Sequence, residues 1–265
     1  MRTGFVQSVL EKLLAEGVLL RSDAVVAVCA GQAERDVFTR LGFSDVTITN
    51  LDERLDAPEV APFRWSRENA ERLSFEDGSF DFSFVADGLH HCPSPHRALL
   101  EMYRVARKGI VAIESRDSLL MRTAVRLGLT PEYEVEAVVD NDFKWGGLNN
   151  SHIPNYIYRW TEADFRKTIK SFDPKGEHRF RFFYGLNLPY EQARMKKSPV
   201  KLAVVVATDR LLRGLTRVFE KQRNTLAMVA LKPEVPHDLW PWLKKANGEI
   251  VFDREYAIRQ FRGPS

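Results

Sequence analysis

The run Ala24-Val25-Val26-Ala27-Val28-Cys29 has no charged or amide side chain on either face of an extended segment. A strand turns alternate side chains to opposite sides, so this run needs apolar cover on both, as a central strand of a parallel sheet has. Its surroundings agree. Before it, Val6, Val9, Leu10, Leu13 and Leu14 recur at i, i+3, i+4, i+7 and i+8, the spacing of an amphipathic helix on the domain's edge. After it come a turn at Gly31, a helix to about Leu41 and a second strand near Val46 to Thr49. Phe80 to Ala86 then reads as a strand, Pro95 to Arg107 as a helix, and Ile110 to Glu114 as a strand after the Gly109 turn. This alternation predicts right-handed crossovers and a doubly wound α/β fold with helices on both faces of the sheet. Ligands of such folds sit at the carboxyl ends of the strands.

The second half is less regular. Residues 115–158, with Gly146-Gly147, Asn149-Asn150 and Pro154 among aromatics, read as a lid insertion rather than a plain connector. Thr161 is an N-cap candidate for a helix to about Phe172, with Glu162 and Asp164 at its positive end. His178 to Leu188 reads as a strand with Thr225 to Leu231 as its partner. Between them, in a 189–223 insertion, Leu202 to Phe219 forms a helix carrying Arg210, Arg213 and Arg217. Its apolar face, Val205, Leu212, Leu215 and Phe219, is expected to pack on the protein itself; peripheral contact with a membrane surface is the alternative.

Composition sets the outer limits. With 265 residues, 44% apolar and 28% charged, the chain reads as a globular protein of one enlarged domain, residues 1–233, with a 234–265 extension. Two cysteines, Cys29 and Cys92, make no disulfide framework, and no Cys/His spacing resembles a structural metal site. No secretory leader or membrane span is read, so a cytoplasmic protein is expected. Residues 1–114 hold 13 basic and 18 acidic side chains, leaving 26 and 18 for the rest. A basic second half suits an anionic substrate, nucleic acid or a lipid surface, or is simply a solvated face.

The loop after the first strand, Cys29-Ala30-Gly31-Gln32-Ala33, frees backbone amides to meet a ligand, with Gly31 expected to make the sharp turn. One glycine falls short of Gly-x-Gly-x-x-Gly, which disfavours nicotinamide or flavin binding. The stretch from Glu68 to Glu114 says more: Asn69-Ala70, Leu73-Ser74-Phe75, Asp77, Ser79-Phe80-Asp81, Leu89-His90-His91, Glu101, Arg104-Val105 and Lys108-Gly109. In that order these residues resemble class I S-adenosylmethionine-dependent methyltransferases, of the branch that includes ubiquinone and menaquinone methyltransferases. The resemblance extends over about residues 20–233. It implies a Rossmann-like seven-stranded sheet, mostly parallel with a C-terminal antiparallel strand, and S-adenosylmethionine as cofactor.

The resemblance also implies positions. The first loop of the family resembles Asp-x-Gly-x-Gly-x-Gly, and Ala27, Cys29, Gly31 and Ala33 stand in those four places. Asn50 replaces the acidic residue expected to meet the ribose, with Leu51 and Asp52 beside it. Asn69 replaces the aspartate near the adenine, with Ala70 offering its backbone. The implied cofactor contacts are therefore Cys29, Ala30, Gly31, Gln32, Asn50, Leu51, Asp52, Asn69, Ala70 and Ala86.

Methyl transfer needs an acceptor held in line and water excluded, plus a base where the acceptor is a hydroxyl. His91 is the candidate base and Asp87 an orienting group; the bland reading has His90 and His91 stacked in a strand-to-helix turn. Arg116, His152, Tyr156, Tyr158 and Arg159 are candidates for a polar acceptor, with Trp145 and Phe143 as apolar cover. Cys92 reads as buried filler. The sequence thus points to methylation of a small molecule, an O-methylated saccharide, lipid-linked compound or secondary metabolite being the leading choice. A binding or scaffold protein that has lost turnover is the rival, and an RNA methyltransferase the next, although no RNA-binding module is visible.

Overall fold

The computed structural model describes residues 2–187 and 199–262; the side chains of residues 2, 199–205, 207 and 208 are outside that description. Seven strands form one sheet: β1 (Ala24–Val28), β2 (Asp45–Asn50), β3 (Arg64–Arg67), β4 (Phe80–Ala86), β5 (Ala106–Ser115), β6 (Arg179–Gly185) and β7 (Thr225–Leu231). Their order is β3-β2-β1-β4-β5-β7-β6, and β7 alone runs antiparallel to its neighbours. The apolar first run is the reason for the double cover. Val25 and Ala27 face one core, under α1 (Arg2–Ala15) and α2 (Gln32–Leu41). Val26 and Val28 face the other, under α4 (Pro95–Val105) and α7 (Glu162–Phe172). Thr161 caps α7 as its sequence announces, accepting from the Asp164 N–H at 3.1 Å.

Three boundaries differ from the sequence reading. Helix α4 stops at Val105 and β5 begins at Ala106, because Ala106 pairs with Phe80 across an irregular step in the ladder. β6 ends at Gly185, short of Leu188, which is outside the described residues. β3, Arg-Trp-Ser-Arg, has no apolar run to announce it; it is a short, charged edge strand paired with β2.

The insertions have structure of their own. The lid segment holds α5 (Leu119–Arg126) and α6 (Val135–Asp140), the latter after a short α3 (Ala57–Val60) earlier in the chain. The extension holds a hairpin, β8 (Leu243–Ala246) and β9 (Glu249–Phe252), joined by Asn247-Gly248 with both residues at positive φ, and a final helix over Arg254–Phe261. That dipeptide is a strong hairpin signal. Helix α8 (Pro199–Val218) runs between β6 and β7, as expected, but not as packed. Of the face expected to be covered, the side chain of Val205 is outside the description, Leu212 is half-buried, and Leu215 and Phe219 are exposed. Thr216, a polar residue, faces inward instead, its hydroxyl donating to the Leu212 carbonyl at 2.7 Å. The expectation that this apolar face is covered by the protein is therefore overturned.

Candidate functional site

A cavity of about 260 Å3 opens at the carboxyl ends of β1, β2 and β4. Cys29 lines it from β1, Asn50, Leu51 and Asp52 from β2, and Asp87 and Gly88 from β4. Glu68, Asn69 and Ala70 follow β3; Gly146, Asn149 and Asn150 close it from the lid.

The chain turns sharply where β1 and β4 end. Cys29 and Asp87 both lie in the left-handed region, at φ 52° and 54°. Non-glycine residues held there are strained, and such strain gathers at ligand sites. The tight turn expected of Gly31 is thus made by Cys29, because Gly31 sits at φ −148° as the N-cap of α2. A Cβ on Gly31 meets nothing closer than Leu55 Cδ1 at 3.7 Å, so the position has room for a side chain. Gly88 has none. A Cβ there would lie 2.4 Å from the Cys29 Cβ and 2.9 Å from Val85 Cγ2, so the two strand ends approach each other only because residue 88 is glycine.

The end of β2 is tied to both neighbouring loops. The Asn50 amide donates to the Ala30 carbonyl at 3.1 Å, and its oxygen accepts from the Asp52 N–H at 3.0 Å. Asp52 receives the Arg54 guanidinium at 2.6 and 2.9 Å, and that guanidinium holds its carboxyl below the usual range. Arg54 reaches onward to the Asn141 side chain at 2.9 Å and lies over the Trp145 ring at 5.6 Å. Asp52 and Arg54 together fasten the lid over the cavity. Trp145, expected to cover an acceptor, covers Arg54, and Phe143 is exposed.

The short helical turn Leu89–His91 follows Gly88. The fully buried Glu114, near the end of β5, accepts from the Leu89 N–H and from His90 Nδ1, both at 2.7 Å. His90 Nε2 faces Glu134 of the lid at 3.3 Å. Burial alone would lower the His90 pKa, but the two carboxylates raise it to about 10, so the ring is an imidazolium at neutral pH. Glu134 is correspondingly lowered to about 2, the His90 charge outweighing its burial. His91 lies against His90 with ring centres 4.6 Å apart and planes tilted by 34°, and burial together with the His90 charge lowers its pKa. Both effects favour its neutral form. Its Nδ1 lies 3.4 Å from the Gly147 carbonyl and its Nε2 3.5 Å from Glu134. Both neighbours are acceptors and a neutral imidazole donates to one only, so the other nitrogen keeps a lone pair for a proton. His90, His91 and Glu134 lie close enough to hold a metal ion, within 4.8 Å of one another.

Residues 24–113 match the family model described as a methyltransferase domain. Demethylmenaquinone methyltransferase from Bacillus cereus (strain B4264) is 24% identical over 102 residues, 38% of this chain and 43% of that protein. That stretch, about a third of the chain, is similar to methyltransferase domains. Solved structures show the same fold. A methyltransferase structure from Bacillus halodurans C-125, titled putative, superposes with a TM-score of 0.53 at 20% identity, covering 86% of this chain and all of that one. Magnesium protoporphyrin IX methyltransferase from Synechocystis PCC 6803, with bound SAH, gives 0.52 at 14%, covering 87% and 83%. The match to the curated relative spans less than half of that protein's length.

Around the cavity, the implied positions divide cleanly. Cys29, Asn50, Leu51, Asp52, Asn69, Ala70, Asp87 and His91 meet in the cavity wall. Ala30, Gly31, Gln32 and Ala86 are not among the lining residues: Ala30 is buried, its carbonyl accepting from Asn50, and Ala86 is paired in the β4–β5 ladder. The five acceptor candidates are not there either. Arg116 is buried, its guanidinium on both Glu162 oxygens at 2.8 and 2.9 Å, on the Lys221 carbonyl and over the Tyr184 ring. Tyr158 packs on Trp160 and on His96, which its hydroxyl meets at 3.2 Å, while Arg159 donates to the Pro131 carbonyl at 2.7 Å. Tyr156 packs edge-on against Tyr133, and His152 is exposed. These side chains build the lid's own support rather than the cavity. Arg54, Glu68, Gly88, Gly146, Asn149, Asn150 and Cys92 line it without having been singled out as ligands. The Asp-Gly pair ending β4 was the readable signal for Gly88; a lid residue folded back across the sheet leaves no local signal. Cys92 is buried, and its hydrogen bond to Cys29 together with that burial raises its thiol pKa, which suits filler and not a nucleophile.

Proposed function

We propose that this chain methylates a hydroxyl oxygen of a small molecule, a saccharide, lipid-linked compound or other secondary metabolite, using S-adenosylmethionine. The observation that carries the reading is His91 on the wall of the cavity that Asp87, Asn50 and Asn69 line with hydrogen-bond acceptors, in surroundings that favour its neutral form. The donor set fits the cofactor. Carboxylate and amide oxygens suit ribose hydroxyls, an adenine amino group and a cationic methionine end. Asn50, Asp52, Asn69 and Ala70 would hold the nucleoside, and Cys29, Asp87 and Gly88 the methionine end. When bound, the cofactor supplies an activated methyl carbon, which leaves sulfur as a neutral thioether.

The protein's own part is positioning and proton transfer. As the acceptor oxygen bonds to the methyl carbon, its proton passes to the His91 nitrogen that carries the lone pair. Glu134 then faces an imidazolium and stabilises it. The lid, fastened through Arg54 and Asp52, excludes water. The named substrates of the related proteins, demethylmenaquinone and magnesium protoporphyrin IX, are small molecules, which supports a small-molecule acceptor here.

Titration calorimetry with S-adenosylmethionine and S-adenosylhomocysteine tests the cofactor site: heat with both is expected, and none with either would leave a scaffold role. A methyl-labelled donor offered with extracts is expected to label a small-molecule pool. Label appearing in RNA alone would overturn the acceptor class.

A further inference from the structure

Helices α5 and α8 leave the body of the protein at one place. The Ser118 hydroxyl, just before α5, donates to the Gln222 carbonyl at 3.3 Å, and the Gln222 side chain accepts from the Leu120 N–H at 3.1 Å. Gln222 ends the short turn that follows α8. The Arg116 N–H donates to the Asn224 carbonyl at 2.9 Å, which fixes both helices at the carboxyl end of β5 and the start of β7. This is the edge of the sheet on which the cavity also opens. β1 and β7 are three strand spacings apart, about 14 Å at ~4.8 Å each.

The side chains at this edge invert the usual order. Leu119 and Leu211 are each 70% exposed, and Val218 and Leu129 each 76%. In α8, Leu211, Leu215 and Val218 are spaced i, i+4 and i+7 on one stripe, turned away from the inward-facing Thr216. Arg210, Arg213 and Arg217 form a second stripe beside it, and α5 adds Arg122 and Arg126. Around the two helices, those five arginines and Lys221 stand against Asp117, Asp209 and Glu220. Asp117 is paired with Arg122 and Asp209 with Arg213, so the remaining charge is positive.

We propose that the α5–α8 edge docks on an anionic phospholipid surface. Its leucines and valine enter the boundary between headgroups and acyl chains, and its arginines meet lipid phosphates. Charge selects this occupant. A second copy of the chain in two-fold contact would bring one arginine stripe onto another. A nucleic acid would pair with the arginines and leave the aliphatic side chains in water. Docked this way, the carboxyl edge of the sheet lies along the membrane. The reading of methyl transfer given above then gains a substrate class, an acceptor drawn from the lipid layer, and only that consequence rests on that reading.

Co-sedimentation of the full chain with vesicles tests the proposal. Binding is expected to phosphatidylcholine vesicles that contain phosphatidylglycerol, weakening as salt rises, and not to phosphatidylcholine alone. The pair Leu211→Ser with Val218→Ser, and separately Arg210→Glu with Arg217→Glu, are each expected to weaken binding about tenfold or more, with melting temperature unchanged. Absent binding at low salt, or binding indifferent to the aliphatic pair, overturns the proposal. So does a dimer by light scattering that the aliphatic pair converts to a monomer, or RNA binding that follows the arginines in place of vesicle binding. Calorimetry with S-adenosylhomocysteine keeps the two readings apart: it is expected to be unchanged in both variants. Docking without any cofactor heat would sink methyl transfer and leave the docking surface standing.

Discussion

Two stretches of the sheet's carboxyl edge break the rule of polar outside and apolar inside in opposite ways. Where β4 meets β5, charged groups are buried: His90, in the turn after β4, and Glu114, near the end of β5, are both under 5% exposed, and they pair with each other. Over β5 and β7, aliphatic side chains of α5 and α8 stand in water with arginines around them. Buried polar groups are costly unless paired, so the first region is held rigidly by the network it contains. Exposed apolar groups cost the fold little and remain available to a partner. The difference separates a place where a ligand is oriented from one where a surface is met.

The comparison is broken most forcefully at His91. His91→Ala is expected to lower turnover about 10²- to 10⁴-fold with cofactor affinity nearly unchanged, measured as kcat against calorimetric Kd; native turnover would return His91 to a structural role. Next is Glu114→Gln, which leaves the His90 charge short of one carboxylate and is expected to cost about 3–5 kcal/mol in urea unfolding. The same network gives a pH signature. With His90 raised to about 10 from 6.5, its contribution is complete below pH 6.5 and is lost as pH rises through about 10. With Glu134 lowered to about 2 from 4.5, its contribution is complete above pH 4.5 and is lost as pH falls through about 2. Unfolding measured across pH should therefore show both in full between 4.5 and 6.5, and Glu114→Gln should flatten the alkaline limb.

Gly88→Ala sharpens the contrast at the cavity floor. Its Cβ would collide with that of Cys29, so a loss of about 1–3 kcal/mol is expected, together with weaker cofactor binding. Cys29→Gly in the same chain should recover part of it, because that substitution removes the colliding atom and relieves a left-handed residue. The smallest effect belongs to the other region. Leu127→Ser, at an exposed position, is expected to change stability by no more than about 0.5 kcal/mol, against about 2–5 kcal/mol for Leu99→Ala in the core. A large loss at Leu127 would show that the edge is structural after all.

Much of the fold was legible because its signals are local. The double-faced run Ala24–Cys29, the cap at Thr161 and the strand at Phe80–Ala86 each announce themselves within a few residues. The cavity was legible in part. Asn50, Asp52, Asn69, Asp87 and His91 stand next to strand ends, where the family pattern places ligands. The lid was not. Arg116, Tyr158 and Arg159 have the chemistry of acceptor contacts, yet Glu162, His96 and the Pro131 carbonyl engage them first, and those partners lie 28 to 62 residues away.

What the sequence determined by itself was the layering and the edge that would hold chemistry, since periodicity and strand order follow from how side chains alternate along a local backbone. Tertiary structure decided the protonation of the two adjacent histidines, the residue that makes the first turn, and the fate of the α8 aliphatic stripe. Each of these depends on which distant groups arrive nearby, Glu114 and Glu134 for the histidines, Gly88 for Cys29, and water for Leu211. A sequence lists those groups without bringing them together.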